Sequence, residues 1–182
     1  YSGQLGDFTT ASRVLPRPVA VLGDRVQAIS LGLWHTCALV AGTGAGETNV
    51  MCWGDNRFGQ LGNGSLTSVT MPVTVQGLGS RVFAISAGVS HTCAVVGSAS
   101  AGGGVMCWGS NSQGQLGDNT QVDHPLPVEV AGLHTGVRAV AAGNEYTCAL
   151  TMAGGVKCWG IGYRGELGDG TGLSQSQPVD VK

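Results

Sequence analysis

The sequence has few charged residues, few aromatic residues and no long apolar run. Charged residues make up 11% of the 182 positions, well below the roughly 25% of an average globular protein. The nine lysines and arginines are scattered and the net charge is −2, which argues against a basic surface for nucleic acid. No apolar stretch approaches the roughly 18 residues of a membrane span. We therefore expect neither a nucleic-acid partner nor membrane insertion.

Glycine and apolar residues are plentiful. Apolar residues reach 42%, which argues against intrinsic disorder. The 32 glycines do not fall at every third position, so the chain is not collagen-like. We expect one folded domain, 1–182, with a sizeable core.

A repeated motif organises this domain. GQLG begins at positions 3, 59 and 114 and returns as GELG at 165, so the period is 51–56 residues. Each copy is followed by a Pro-Val pair, and the first three continue with an apolar run, TCA and CWG. The repeats are 3–58, 59–113, 114–164 and a partial fourth, 165–182.

Each repeat is predicted to form short β-strands. Segments such as PVTV and RVFAI are apolar, rich in β-branched residues and bounded by Gly or Ser. No helix-length window has apolar residues at i, i+3, i+4 and i+7. Four short strands in about 50 residues are typical of a β-propeller blade. The expected fold is all-β, an incomplete propeller of about three and a third repeats.

The number of repeats is too small for a closed propeller, which has roughly four to eight blades. The partial repeat 165–182 has no TCA…CWG hairpin of its own. We therefore expect its partner strands to come from outside this sequence. The missing blades belong either to a longer chain or to further copies of this one.

The cysteines form one pair in each complete repeat. In the third repeat, a hairpin that turns at Ala153 places Cys148 opposite Cys158, within reach of a disulfide after modest adjustment. The equivalent pairs are Cys37 with Cys52 and Cys93 with Cys107. Disulfides indicate an oxidising compartment and hence export.

Two other states of the cysteines stay open, because six cysteines allow 15 pairings in principle. Reduced cysteines can serve as small apolar core residues. Zinc is disfavoured because no CxxC or His-rich spacing occurs.

Residues suited to catalysis are few, and we predict no enzyme activity, no metal and no cofactor. His35 and His91 share a repeat position that holds Tyr146 in the third repeat, which favours a structural hydrogen bond over a general base. His124 and His134 lie in variable stretches and have no recognised catalytic neighbours. GQLG is not a phosphate loop, because no GK(S/T) follows.

Three residues follow the GxLG motif in register: Asn63, Asp118 and Asp169. This position favours turn formation over calcium binding. Asn63-Gly64-Ser65 also matches an N-glycosylation sequon, so Asn63 is a candidate glycosylation site.

Three long segments resemble the regulator of chromosome condensation repeat: CWGDNRFGQLGNG, CWGSNSQGQLGDNT and CWGIGYRGELGDGT, each with GxxxTCA upstream. The resemblance covers essentially the whole chain and implies blades of a seven-bladed propeller. The family's functions include guanine-nucleotide exchange, ultraviolet sensing and secreted inhibition of β-lactamases, so the fold alone fixes little about function.

The sequence departs from the family pattern in its paired cysteines, which cytosolic members usually lack. The resemblance therefore implies an exported, extracellular or cell-surface, bacterial branch. Ultraviolet sensing in the family relies on clustered tryptophans, whereas Trp53, Trp108 and Trp159 are fixed in CWG and are expected to be packing residues. Trp34 is out of register, at the position of Ser90 and Glu145.

The sequence leads us to expect a secreted or cell-surface module that binds a protein partner, with inhibition of an extracellular enzyme as a special case. The alternative is a structural subunit that joins further copies of itself into a fibre or array. Variable loops on a fixed frame usually carry recognition. The candidate partner contacts are Trp34, Thr43, Glu47, Ser98, Ser100 and Met152.

Overall fold

The computed structural model describes residues 2–19 and 21–182. Its regular structure is one 3-10 turn, Gly23–Arg25, followed by β-strands, and this part of the chain has no helix long and apolar enough to cross a membrane. The strands are β1 (Val26–Leu31), β2 (His35–Ala41), β3 (Thr48–Gly54), β4 (Val69–Thr74), β5 (Val82–Ala87), β6 (His91–Ser98), β7 (Gly102–Gly109), β8 (His124–Glu129), β9 (Val137–Ala142), β10 (Tyr146–Thr151), β11 (Val156–Gly160) and β12 (Gln175–Asp180).

The strands form three antiparallel four-stranded blades. The first blade is β1–β4, the second is β5–β8 and the third is β9–β12, each paired in sequence order. The Gly103–Val137 pair also joins β7 of the second blade to β9 of the third. The prediction of an all-β fold that covers part of a propeller is confirmed.

The interpretation of residues 165–182 as a fourth repeat without partner strands is wrong. β12 pairs with β11, so this segment supplies the outer strand of the third blade. A repeat counted from GQLG begins in the middle of a blade, after its third strand. The segment that lies outside the three blades is instead N-terminal, and its residues 3–6 pack on the first blade.

Hydrogen bonds between blades show the radial order of the strands. The Ser30 hydroxyl of β1 accepts a 2.9 Å bond from the backbone N–H of Ala87 at the end of β5. The Ser86 hydroxyl and the Ala142 N–H repeat this bond between β5 and β9. These strands therefore converge on the propeller axis, and β4, β8 and β12 are outer edges. Each outer strand contains proline, which an edge tolerates because it needs fewer ladder hydrogen bonds.

The glycine of each CWG motif allows the third strand to approach the preceding turn. Gly54 has φ +111°, and a Cβ there would lie 2.4 Å from the carbonyl oxygen of Trp34. The pairing of β3 with β4 shifts register between Cys52 and Gly54. This β-bulge recurs in the second and third blades, which explains why the glycine repeats with the motif.

The core lies between blades rather than within them. Leu39 and Val50 of the first blade pack with Val82 and Trp108 of the second. A matching cluster fills the space between the second and third blades. Neighbouring blades therefore stabilise each other by burying apolar surface.

Candidate functional site

A backbone carbonyl at the first blade interface accepts two hydrogen bonds from the next blade. Gln60 lies in the loop that follows CWG of the first blade. Its carbonyl oxygen accepts from Trp108 Nε1 at 2.9 Å and from Thr92 Oγ1 at 3.0 Å. The Thr92 hydroxyl also lies 2.8 Å from His35 Nε2 of the first blade. Loop, histidine, threonine and tryptophan thus form one buried polar network.

The same network recurs at the next interface. The Gln115 carbonyl accepts from Trp159 Nε1 at 2.9 Å and from Thr147 Oγ1 at 3.0 Å, and His91 Nε2 lies 2.9 Å from that hydroxyl. A third copy lacks the histidine: the Gln4 carbonyl accepts from Trp53 and Thr36, at 2.9 Å in each case. The repeated tryptophans are therefore buried structural residues, consistent with the packing role expected from the sequence, and their indole N–H groups also donate hydrogen bonds.

Both histidines of the network are structural rather than catalytic. Burial lowers the pKa of His35 to about 4, opposed by the nearby Asp55 carboxylate. Burial, with a smaller contribution from His35, lowers the pKa of His91 to about 3. The Nδ1 atoms of both rings are buried without a hydrogen-bond partner in the described part of the chain. A neutral, inaccessible imidazole is poorly placed to exchange protons with a substrate.

The cysteines pair within each hairpin. Disulfides join Cys37–Cys52, Cys93–Cys107 and Cys148–Cys158, each with Cα atoms 4.1 Å apart. The first two disulfides are fully buried against the following blade. In the third, Cys148 is partly exposed because no described residue covers that face of the last blade.

The candidate contacts lie on two opposite rims of the blades. We call the rim formed by residues 32–34, 55–68, 88–90, 110–123, 143–145 and 161–174 the turn rim. The hairpin rim is formed by residues 42–47, 98–101 and 152–155. The seven residues of β2 separate the rims by about 20 Å at a strand rise of about 3.3 Å per residue. Trp34 lies on the turn rim, so one compact partner surface does not reach it together with the hairpin tips.

The hairpin-rim candidates are exposed but mostly engaged with their own loops. The Glu47 carboxylate accepts a 3.0 Å hydrogen bond from the Gly44 N–H. The hydroxyls of Ser98 and Ser100 lie 2.9 Å apart. Thr43 and Met152 are exposed at their tips. Small side chains dominate this rim.

The turn rim carries exposed aromatic side chains, two of which our sequence reasoning missed. Trp34 is 37% exposed, Phe58 39% and Tyr163 68%. Phe58 and Tyr163 sit in the loops that follow CWG, where the aligned residues of other repeats are polar. An alignment of the repeats for such departures would have found both.

Asn63 begins a tight turn that all four GxLG segments share. Its Oδ1 atom accepts from the Ser65 N–H at 3.1 Å and from Asn56 Nδ2 at 3.3 Å. Asp118 and Asp169 accept the equivalent backbone N–H bonds from Thr120 and Thr171. The hydrogen bond to the Thr171 N–H is the main cause that lowers the pKa of Asp169. Glycosylation at Asn63 stays a prediction.

Comparison with known proteins agrees with this geometry. The profile of the Regulator of chromosome condensation (RCC1) repeat matches residues 49–95 and 102–150. A second profile of the same repeat matches residues 26–60 and 137–166. The chain belongs to the RCC1 repeat family. The resemblance of the CWG segments to this repeat is thereby confirmed.

Relatives with RCC1 repeats differ in kind. The chain is 34% identical over 182 residues to the ultraviolet-B receptor UVR8 of Arabidopsis thaliana, covering 98% of this chain and 40% of the receptor. It is 37% identical over 164 residues to the probable E3 ubiquitin-protein ligase HERC3 of Homo sapiens, covering 88% of this chain and 15% of the ligase. The chain thus spans well under half of the length of these relatives.

Solved RCC1 structures show the same fold. Yeast RCC1 (Prp20), in a crystal structure bound to Kap60, superposes with a TM-score of 0.79 at 25% identity, covering 100% of this chain and 42% of that one. Prp20p from Saccharomyces cerevisiae, in another crystal structure, gives a TM-score of 0.81 at 22% identity, covering 98% and 44%. The three blades therefore correspond to part of an RCC1 propeller.

Proposed function

We propose that this chain is an exported, non-enzymatic protein-binding module built from RCC1 blades. The observation that carries the proposal is the disulfide at the same position in every blade. Structural disulfides persist in secreted, periplasmic and surface proteins and are rare in the reducing cytosol. This chemistry supports the extracellular or cell-surface location that we propose, and a bacterial source is part of the same proposal.

The contrast between buried and exposed side chains favours a binding function. The polar groups of the blade interfaces stabilise the fold, whereas the turn rim exposes aromatic side chains. The histidines, threonines and tryptophans of the blade interfaces are committed to packing. Trp34, Phe58 and Tyr163 instead expose aromatic surface on one rim, and tryptophan and tyrosine are enriched at binding hot spots. The relative yeast RCC1 is described as bound to the protein Kap60. We infer that this chain also binds a protein, with Trp34 as a central contact.

Two measurements test this proposal. The protein is isolated from its natural source, denatured, and treated with a thiol-alkylating reagent before mass spectrometry. We expect no alkylated cysteine and a mass consistent with three disulfides. Alkylation of all six cysteines would show that the disulfides are absent and would contradict the proposal of export.

The binding part is tested by crosslinking on intact cells, with Trp34→Ser as the variant because Ser90 holds the same position in the second repeat. We expect this variant to lose the crosslinked partner. The matched control, Thr43→Ala on the hairpin rim, is expected to keep it. Equal crosslinking of both variants would place the interface away from the turn rim. A partner that proves to be an extracellular enzyme would make inhibition the activity to assay.

The fibre alternative receives less support from the blade interfaces. Within the chain, the loop of the second blade docks on the third blade. Another copy of the chain could dock on the first blade in the same way only through loop 165–168 of its third blade. Residues 3–6 of the same chain already occupy that place, with Gln4 bound to Trp53 and Thr36. Head-to-tail assembly would therefore require displacement of the N-terminal segment. Light scattering at increasing protein concentration tests this, and growing particles would favour the fibre.

A further inference from the structure

A small cleft opens on the turn rim between the second and third blades. Its volume is about 170 Å³. The loop of the second blade contributes Ser110, Ser112 and Asp123, the turn of the third blade contributes Glu145, and Phe58 of the first blade forms another wall. Neither the blade packing nor the disulfides explain these two carboxylates.

The equivalent loop of the first blade contains a built-in ion pair. There Arg57 Nε donates to Asp55 Oδ1 at 2.9 Å and to Asp55 Oδ2 at 3.2 Å. The Ser68 hydroxyl accepts from the Asn56 N–H at 3.0 Å and lies 3.4 Å from Asp55 Oδ1. One carboxylate, one serine and one arginine thus stand together in this loop.

The second blade keeps the carboxylate and the serine but exchanges their places and removes the arginine. Ser110 stands where the first blade has Asp55, and Asp123 stands where it has Ser68. Asp123 Oδ1 accepts from the Asn111 N–H at 2.7 Å, which is the structural role that serine fills in the first blade. The position of Arg57 is taken by Ser112, an exposed short side chain.

The charge of Asp123 is therefore not needed for the loop itself. Serine makes the equivalent backbone bond at Ser68 and at Ser174 in the third blade. Asp123 and Glu145 form no ion pair with any residue in the described part of the chain. The cleft thus has two carboxylates and an aromatic wall but lacks the arginine that the equivalent loop of the first blade contains.

We infer that this cleft binds an arginine side chain presented by a protein partner. The guanidinium would bond Asp123, which stands where the first blade has Ser68 rather than where it has Asp55, with Glu145 as a second acceptor. Arginine suits this site better than lysine because its planar fork can bond a carboxylate twice and stack on the Phe58 ring. This inference rests on the proposed function and names the chemistry of the partner's contact.

The test uses short peptides and the intact protein labelled with ¹⁵N. Ac-Gly-Arg-Gly-NH₂ is titrated to millimolar concentration, with the lysine and citrulline peptides as comparisons. We expect the arginine peptide to shift the amide signals of Ser112 and Glu145 saturably, and the other peptides to bind more weakly. If the arginine and citrulline peptides behave alike, or no signal at the cleft moves, the inference is wrong.

Two variants keep the fold while changing the cleft. Asp123→Ser copies Ser68 and Ser174, so the backbone bond remains, and we expect about tenfold weaker peptide binding, equivalent to about 1.4 kcal/mol. Ser112→Arg copies Arg57 and is expected to block the peptide by filling the cleft from within. Unchanged affinity in Asp123→Ser, with its amide spectrum otherwise intact, would overturn the inference.

The peptide result and the crosslinking result separate the two proposals. If the wild-type protein crosslinks a partner but the peptide does not bind, the cleft inference falls and the binding module stands. If the peptide binds at the cleft but no protein is crosslinked in cells, the arginine site stands and the proposed function falls.

Discussion

His35 Nε2 of the first blade lies 2.8 Å from Thr92 Oγ1 of the second, although 57 positions separate these residues. The Thr92 hydroxyl has one proton and donates it to the Gln60 carbonyl. It must therefore accept from His35, which places a proton on Nε2. Because burial lowers the pKa of His35 to about 4, the ring is neutral at pH 7 and this is its one ring N–H. One hydroxyl thus joins two blades and sets the tautomer of a buried histidine.

Removal of this hydroxyl should weaken the first blade interface. We expect Thr92→Val to lower the free energy of unfolding by about 1–3 kcal/mol, because it leaves the buried His35 donor unpaired. Thr92→Ser keeps the hydroxyl and serves as the control, with a smaller loss. Urea denaturation followed by tryptophan fluorescence measures both. A Thr92→Val protein as stable as the wild type, or more stable than Thr92→Ser, would show that the hydrogen bond does not stabilise the interface.

The buried histidines should make the protein acid-sensitive. Their folded-state pKa values of about 4 and about 3 lie below the ordinary value of 6.5. Between these values the unfolded chain binds more protons, so stability is retained above about pH 6.5 and falls as the pH decreases toward 4. The expected slope approaches about 1.4 kcal/mol per pH unit for each histidine.

The measurement is urea denaturation at pH 7, 6 and 5, where most carboxylates do not yet titrate. His35→Gln keeps a side-chain N–H donor without a titrating ring and should reduce the slope. A variant slope as steep as that of the wild type would assign the acid sensitivity to other groups.

The GxLG loop leaves no space for a side chain beneath Trp108. A Cβ on Gly62 would lie 2.7 Å from Trp108 Nε1, and its φ is +66°. Gly77 has a similar φ of +80° but no atom within 4 Å of its Cβ position. We expect Gly77→Ala to lower the free energy of unfolding by about 1–2 kcal/mol through backbone strain alone. We expect Gly62→Ala to lower it by about 1–3 kcal/mol more, because the added methyl group also crowds Trp108. Thermal unfolding of both variants gives the comparison, and equal losses would contradict the close packing.

The three disulfides should differ in their reaction with a reductant. Cys148 is partly exposed, whereas the cysteines of the other two pairs are fully buried. We expect brief treatment with dithiothreitol in native buffer, followed by alkylation and peptide mapping, to label Cys148 and Cys158 first. Under denaturing conditions the preference should disappear. Earlier labelling of Cys93 and Cys107 in native buffer would indicate that the blades separate before the disulfides react.

The sequence by itself determined the strands, the hairpin pairs and the family. Cys148 and Cys158 are symmetric about Ala153, and a local two-stranded pairing depends only on neighbouring residues, so their opposition could be predicted. The CWG and GQLG motifs likewise identify the repeat, because their residues have recurring structural roles: the cysteine forms a disulfide, the tryptophan donates from its indole, the leucine packs in the core and the glycines form a bulge or a turn.

Only the tertiary structure decided how the strands are grouped and which surface is available. A periodic sequence looks the same wherever its unit is taken to begin, so the partnership of β12 with β11 could not be seen from GELG. The acceptor for Trp108 is a backbone carbonyl, which has no sequence signature. The separation of Trp34 from the hairpin tips, and the closeness of Asp123 to Glu145, arise from blades packing side by side, which brings together residues far apart in the chain.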